Sequence, residues 1–153
     1  MTVSCGGCSV AAETETDARP WYAGGLRFGC QACGRCCGVE PGYVWLDESE
    51  LVGIARFLGL PRQEFRSLYV RRLWRGMSLR EKPNLDCVLL DGRGRCTAYE
   101  VRPLQCRMWP FWPSNLRTRR AWEEAAARCP GIGQGPLIAF QEIEAQRLEM
   151  ADE

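Results

Sequence analysis

Residues 30–37 read Cys30-Gln-Ala-Cys33-Gly-Arg-Cys36-Cys37, and this run constrains the fold more than any other feature. Two-residue spacings let successive thiols converge on one centre, because such a loop curls with its sulfurs inward. Gly34 and Gly38 permit the tight turns and expose backbone N–H groups to sulfur. The whole chain has ten cysteines and no histidine in 153 residues. Lacking histidine, it lacks the usual zinc-enzyme ligands and every histidine-dependent catalytic triad.

So many cysteines serve either disulfides or metal. Disulfides need an oxidising compartment, reached through an export signal. The N-terminus, Met1-Thr-Val-Ser-Cys-Gly-Gly-Cys-Ser-Val, shows no basic n-region and no useful apolar h-region. The expectation is a reducing cytoplasm, where such a set points to metal or catalysis rather than disulfides. Four thiolates around one metal contribute folding energy on the order of 10–16 kcal/mol. That equals the whole stability of a small domain.

Eight cysteines fall in the region expected to fold: Cys30, Cys33, Cys36, Cys37, Cys87, Cys96, Cys106 and Cys129. They fill two four-ligand sites, or one site with spare thiols; some could instead be buried apolar cysteines. In an extended or turning backbone, adjacent Cys36 and Cys37 point different ways. The expected partition is therefore Cys30, Cys33, Cys36 and Cys129 in one site, with Cys37, Cys87, Cys96 and Cys106 in the other. Around zinc the sulfurs would lie about 3.5–4 Å apart, and wider around a cluster. The Cys-x2-Cys-x2-Cys run with a remote Cys129-Pro130 is like bacterial ferredoxin loops. The second half lacks the separate Cys-x2-Cys knuckle of zinc modules. This favours a 4Fe–4S iron–sulfur cluster in the first site and leaves zinc or iron open in the second.

The rest of the chain suggests a small helix-dominated α+β domain with a short β-hairpin, stapled by cysteine–metal sites. Residues 1–19 read as a flexible tail and 20–150 as the metal-binding domain, with Cys5 and Cys8 outside the main pattern. Asp47 and Glu50 form a capping box for a helix over 47–58, which Gly59 stops. A second helix starts at Pro61 and carries Phe65, Leu68 and Leu73. Cys87–Cys96 reads as the hairpin, with Asp91-Gly92 and Gly94 in its turn. Pro103, Pro110 and Pro113 break the next segment into short pieces. Further helices are expected over Thr118–Arg128 and from about Pro136. Trp109-Pro110-Phe111-Trp112 is expected to plug the core, a partner surface being the alternative. Arg102 and Arg107 flank Cys106; they either compensate thiolate charge or pair with carboxylates such as Glu100.

With 20 basic and 19 acidic residues, nothing argues for nucleic acid as a partner. No stretch approaches a membrane span. The expected partners are a metal ion or cluster and a protein.

The motif Cys30-x2-Cys33-x2-Cys36-Cys37, the segment Cys96-Thr-Ala-Tyr-Glu-Val-Arg-Pro-Leu-Gln-Cys106-Arg107 and Cys129-Pro130-Gly131 together resemble the YkgJ-type cysteine-cluster family. The resemblance runs from about Phe28 to Gly135. It implies zinc or iron chelation through the same eight cysteines, and matches Tyr99, Arg102, Pro103, Arg107 and Pro110 to the family's central segment. It implies no reaction. Three roles compete: a metal–thiolate module for structure, electron transfer or metal handling; a thiol oxidoreductase using Cys36–Cys37 or Cys5 and Cys8; and a zinc-stabilised interaction module. If all eight cysteines ligate, no open metal position is left for hydrolytic chemistry.

Overall fold

A computed structural model of the chain describes residues 19–38 and 40–151. The expected tail, apart from Arg19, lies outside the described residues, as do Cys5 and Cys8.

Around the first core the sequence dictates the fold locally. Helix α1 (Glu48–Phe57) opens on a complete capping box: Asp47 accepts from the Glu50 N–H at 2.8 Å, and Glu50 accepts from the Asp47 N–H at 3.1 Å. It closes on a Schellman motif, with Gly59 at φ 69° donating to Arg56 and Leu60 donating to Ala55. Leu51, Ile54 and Ala55 face inward and are buried. Helix α2 (Arg62–Tyr69) follows, adding the fully buried Phe65. Strand β2 (Trp45–Leu46), β3 (Val70–Leu73) and β4 (Gly76–Leu79) form an antiparallel sheet in the order β2-β4-β3. Leu46, Val70 and Leu79 complete this aliphatic core with Leu89 and Ala98.

Two expectations change here. The second helix does not reach Leu73: it stops at Tyr69, and Val70–Leu73 turns back as one arm of a hairpin with Gly76–Leu79. The hairpin expected at 87–97 is only an isolated bridge between Leu90 and Cys96, closed by the Asp91 N–H on the Arg95 carbonyl. The α+β class holds, with the hairpin at 70–79.

A second, aromatic core joins the ends of the described chain. Strand β1 (Leu26–Phe28) pairs antiparallel with β5 (Ile132–Ile138), with a register shift between Arg27 and Phe28. Helix α5 (Arg119–Arg128) is capped by the Thr118 hydroxyl on the Ala121 N–H. The last helix, α6 (Phe140–Ala151), begins later than Pro136, because Pro136–Ile138 belongs to β5. A two-stranded sheet is all edge, so a proline there removes no central ladder bond. Tyr22, Phe111, Leu116, Trp122 and Ile143 form the buried centre. Phe111 stacks on Trp122 at 5.7 Å.

Between the cores runs a largely irregular segment with two short helices, α3 (Leu104–Arg107) and α4 (Pro113–Leu116). The prolines start these pieces: Pro103 precedes α3, and Pro113 occupies the first turn of α4.

Candidate metal centre

Loops, not helices or strands, carry most of the cysteines. Cys36 and Cys37 sit in a 3-10 turn over Arg35–Cys37, Cys106 lies in α3, and Cys129 follows α5. Three struts hold these loops together. The Cys87 N–H donates to the Cys37 carbonyl at 2.6 Å, and the Gly29 N–H donates to the Gly131 carbonyl at 3.0 Å. The third is a close approach of Gly34 to Gly94. Gly34 has φ 69°, and a Cβ there would collide with the Gly94 carbonyl oxygen. Only glycine meets both conditions at once.

The result is a cavity of about 840 Å³ lined by all eight cysteines, Cys30, Cys33, Cys36, Cys37, Cys87, Cys96, Cys106 and Cys129. All eight are free thiols; Cys30, Cys33 and Cys36 are exposed at the rim and the others lie deeper. Cys36 Sγ and Cys37 Sγ are 3.7 Å apart. The hydrogen bond from Cys37 lowers the Cys36 thiol to about 7 and raises that of Cys37. Cys37 is raised further by burial and by the charges of Cys36, Cys106 and Cys87. Burial raises the Cys106 thiol most, with Cys87, Cys36 and Cys96 adding repulsion. It also raises Cys87 and Cys96, against backbone N–H groups of Leu89 and Ala98. Cys36, Cys37, Cys87, Cys96 and Cys106 thus share one electrostatic neighbourhood. Cys30 instead meets the Tyr99 hydroxyl, which this hydrogen bond raises, with burial adding to it.

The two residues expected to serve different sites, Cys36 and Cys37, lie side by side. In a 3-10 turn successive side chains stand a third of a rotation apart rather than on opposite faces, so Cys36 stays beside Cys37. The Cys30 and Cys129 segments do come together, through Gly29 and Gly131. Among the described residues, no three cysteine, aspartate or glutamate side chains converge closely enough to hold a metal ion as they stand.

The other walls hold residues that the cysteine spacing did not reveal. Trp109 and Trp112 both line the cavity, while Pro110 and Phe111 are buried. The Trp-Pro-Phe-Trp segment is thus partly core plug and partly cavity wall. The signal available in the sequence was the three-residue step from Cys106 to Trp109, which places both on one side of a helical turn. Arg102 makes no ion pair with Glu100 among the described residues; its guanidinium lies 3.6 Å from the Tyr99 ring centroid. Its charge adds to the lowering of the Cys36 thiol and opposes the effect of burial on Cys96 and Cys106. Arg95 turns instead to Asp91, at 3.5 Å.

The donor set fits a thiophilic metal. Sulfur is the ligand type that selects zinc or iron–sulfur centres, and a cation would relieve the repulsion among these clustered thiolates. Two buried donors, Arg102 Nε and Trp109 Nε1, have no hydrogen-bond partner although both residues line the cavity. They suit an anionic acceptor there.

Comparison with known proteins agrees with the chemistry. The chain is 31% identical over 91 residues to "Uncharacterized protein MJ0661" of Methanocaldococcus jannaschii, covering 59% of this chain and 48% of the relative. It thus spans about half the length of that relative. No solved structure matches it. No helix among the described residues is long and apolar enough to cross a membrane. Residues 29–130 match the family model described as "CxxCxxCC: Putative zinc- or iron-chelating domain". With two thirds of its length matched and its cysteines gathered on one cavity, the chain belongs to this CxxCxxCC family of zinc- or iron-chelating domains.

Proposed function

We propose that the protein binds its metal through the thiolates of the eight cavity cysteines and holds an iron–sulfur cluster there. The observation that carries the reading is the gathering of Cys30, Cys33, Cys36, Cys37, Cys87, Cys96, Cys106 and Cys129 on one cavity. Five of these thiols feel one another's charge, yet no three converge on a single-ion site. The Cys30-x2-Cys33-x2-Cys36 run with a remote Cys129-Pro130, like bacterial ferredoxin loops, supports the cluster over one mononuclear ion. When bound, such a centre supplies one-electron chemistry; the chain's residues hold it, shield it on the Cys106 side and leave it open at Cys30 and Cys33. Ligation by cysteines alone leaves no open metal position, which supports structure, electron transfer or metal handling over hydrolytic chemistry.

Zinc is the second reading. The Cys36–Cys37 separation of 3.7 Å matches the sulfur–sulfur distance of about 3.5–4 Å expected around tetrahedral zinc. Anaerobic isolation with iron, zinc and acid-labile sulfide analysis separates the two. Brown protein with iron and sulfide in equal amounts supports the cluster. Colourless protein with zinc and no sulfide supports the second reading, and protein free of both metals overturns both.

A further inference from the structure

Three side-chain donors among the described residues are buried without any hydrogen-bond partner: Arg71 Nε, Arg102 Nε and Trp109 Nε1. Leaving a buried donor unsatisfied is costly, and more so on a charged group. Arg71 lies outside the cavity, and its guanidinium is already engaged: Nη2 donates to the Gly42 carbonyl at 2.8 Å and lies 3.1 Å from the Glu81 carboxylate. The other two share the cysteine cavity wall. Arg102 has no ion pair among the described residues; its guanidinium lies over the Tyr99 ring and bonds the Tyr99 side chain, leaving Nε unpartnered. Trp112, by contrast, places its indole N–H on the Gln105 carbonyl at 2.7 Å. Trp109 packs edge-on to Trp112 at 4.8 Å with its own N–H unanswered. Trp109 also lies three residues beyond Cys106.

We infer that Arg102 and Trp109 are the outer donors of the centre: as the cysteine loops draw in around a metal, their covered and unpartnered Nε–H and Nε1–H groups take a metal-bound thiolate sulfur as acceptor. This rests on the metal-binding reading above and deepens it. A thiolate bound to metal is an acceptor with localised negative charge, and hydrogen bonds from outside the ligand set stabilise it and orient it. A guanidinium is the strongest available donor for that purpose and stays charged under all ordinary conditions. The assignment explains why two polar groups stand unsatisfied beside eight thiols. It also predicts an asymmetry: both donors are a burden without metal and an asset with it.

The test uses the full chain, zinc alone as the probe, and a chromophoric chelator as competitor. The first measurement needs no substitution. Zinc loading should move the Trp109 indole N–H and Arg102 Nε–H resonances of the parent protein downfield, while the Trp112 indole N–H holds its place. Arg102→Met should weaken zinc retention by roughly 10–100-fold, Arg102→Lys should recover part of the loss, and Trp109→Phe should weaken it less than Arg102→Met. In the metal-free protein the variants lose packing on Tyr99 or Trp112, so their Tm should fall by far less than the loss of zinc affinity would require. Indole and guanidinium resonances unmoved by zinc overturn the assignment, as do variants that retain zinc like the parent. So does a fall in the metal-free Tm that accounts for the lost affinity, since that marks a structural role. A parent chain that binds neither zinc nor iron removes the metal reading itself, and is distinguished by needing no variant.

Discussion

The aliphatic core and the cysteine cavity sit side by side, and opposite principles hold them. Around α1, α2 and the β2–β4–β3 sheet, stability is local and additive: a capping box, a Schellman stop, and fully buried Leu51, Ile54 and Phe65. Around the cavity there is little regular structure, and the packing consists of loops tied by a few backbone bonds. There the side chains that meet are thiols, mutually repulsive once ionised. One region is stable because apolar surface leaves water. The other is a set of donors awaiting a cation, so its order depends on what it binds.

This contrast predicts that damage to one region should not imitate damage to the other. Phe65→Ala removes a fully buried ring from the aliphatic core and should cost about 3–5 kcal/mol. Urea unfolding should show that loss, with metal content per folded molecule unchanged; a parallel loss of metal would mean the regions are coupled. Gly34→Ala should do the reverse. A methyl group at φ 69° against the Gly94 carbonyl would push the cysteine loop off the 91–95 turn. Metal content should fall by more than half while far-ultraviolet circular dichroism holds its shape.

Smaller effects sharpen the same division. Asp47→Ala deletes the side-chain acceptor of the capping box and should cost about 1 kcal/mol, again without loss of metal. In the aromatic region, Glu144 accepts from Arg147 and from Tyr22. The Arg147 guanidinium is the main reason its carboxyl lies below the usual range, with Tyr22 adding to this against burial. A lowered folded value means stability that is present above the ordinary carboxylate range and lost as pH falls through that lowered value. Glu144→Gln should therefore flatten part of the acid limb of a Tm-against-pH curve, by roughly 0.2–1 kcal/mol. An unchanged acid limb would show the pair to be energetically idle.

The two regions also differ in how much of them could be read in advance. Helix α1 was legible because its signals are local: Asp47 and Glu50 cap it, Leu51, Ile54 and Ala55 mark its face, and Gly59 ends it. The end of α2 was not. Leu73 continues the helical spacing of Phe65 and Leu68, but Val70 opens the arm that pairs with β4, and Trp74-Arg75 lacks the usual Asn-Gly turn signature. Pro136 suits a helix start as well as it suits an edge strand, and only Leu26 and Arg27, more than a hundred residues away, decide for the strand. The family was legible in the cysteine run together with the Cys96–Arg107 segment and Cys129-Pro130-Gly131, and the eight gathered cysteines in the stretch expected to fold. The closeness of Cys36 to Cys37 was not, because it depends on the turn at Arg35–Cys37. Arg102 was legible as a neighbour of Cys106, but the unanswered N–H groups of Arg102 and Trp109 were not, because they depend on how the cavity wall packs.

The central claim is that these eight thiols, and not the hydrophobic cores, hold the metal. Native-state alkylation read cysteine by cysteine in a mass spectrometer tests it most directly, on protein isolated without oxygen and again after chelation. The account predicts that Cys30, Cys33, Cys36, Cys37, Cys87, Cys96, Cys106 and Cys129 resist labelling in the loaded protein, including the solvent-exposed Cys30 and Cys33. Chelation should make them reactive together, as the metal leaves. If Cys30 and Cys33 label freely before chelation, or if chelation changes the labelling of none of the eight, the metal is held elsewhere and the account is wrong.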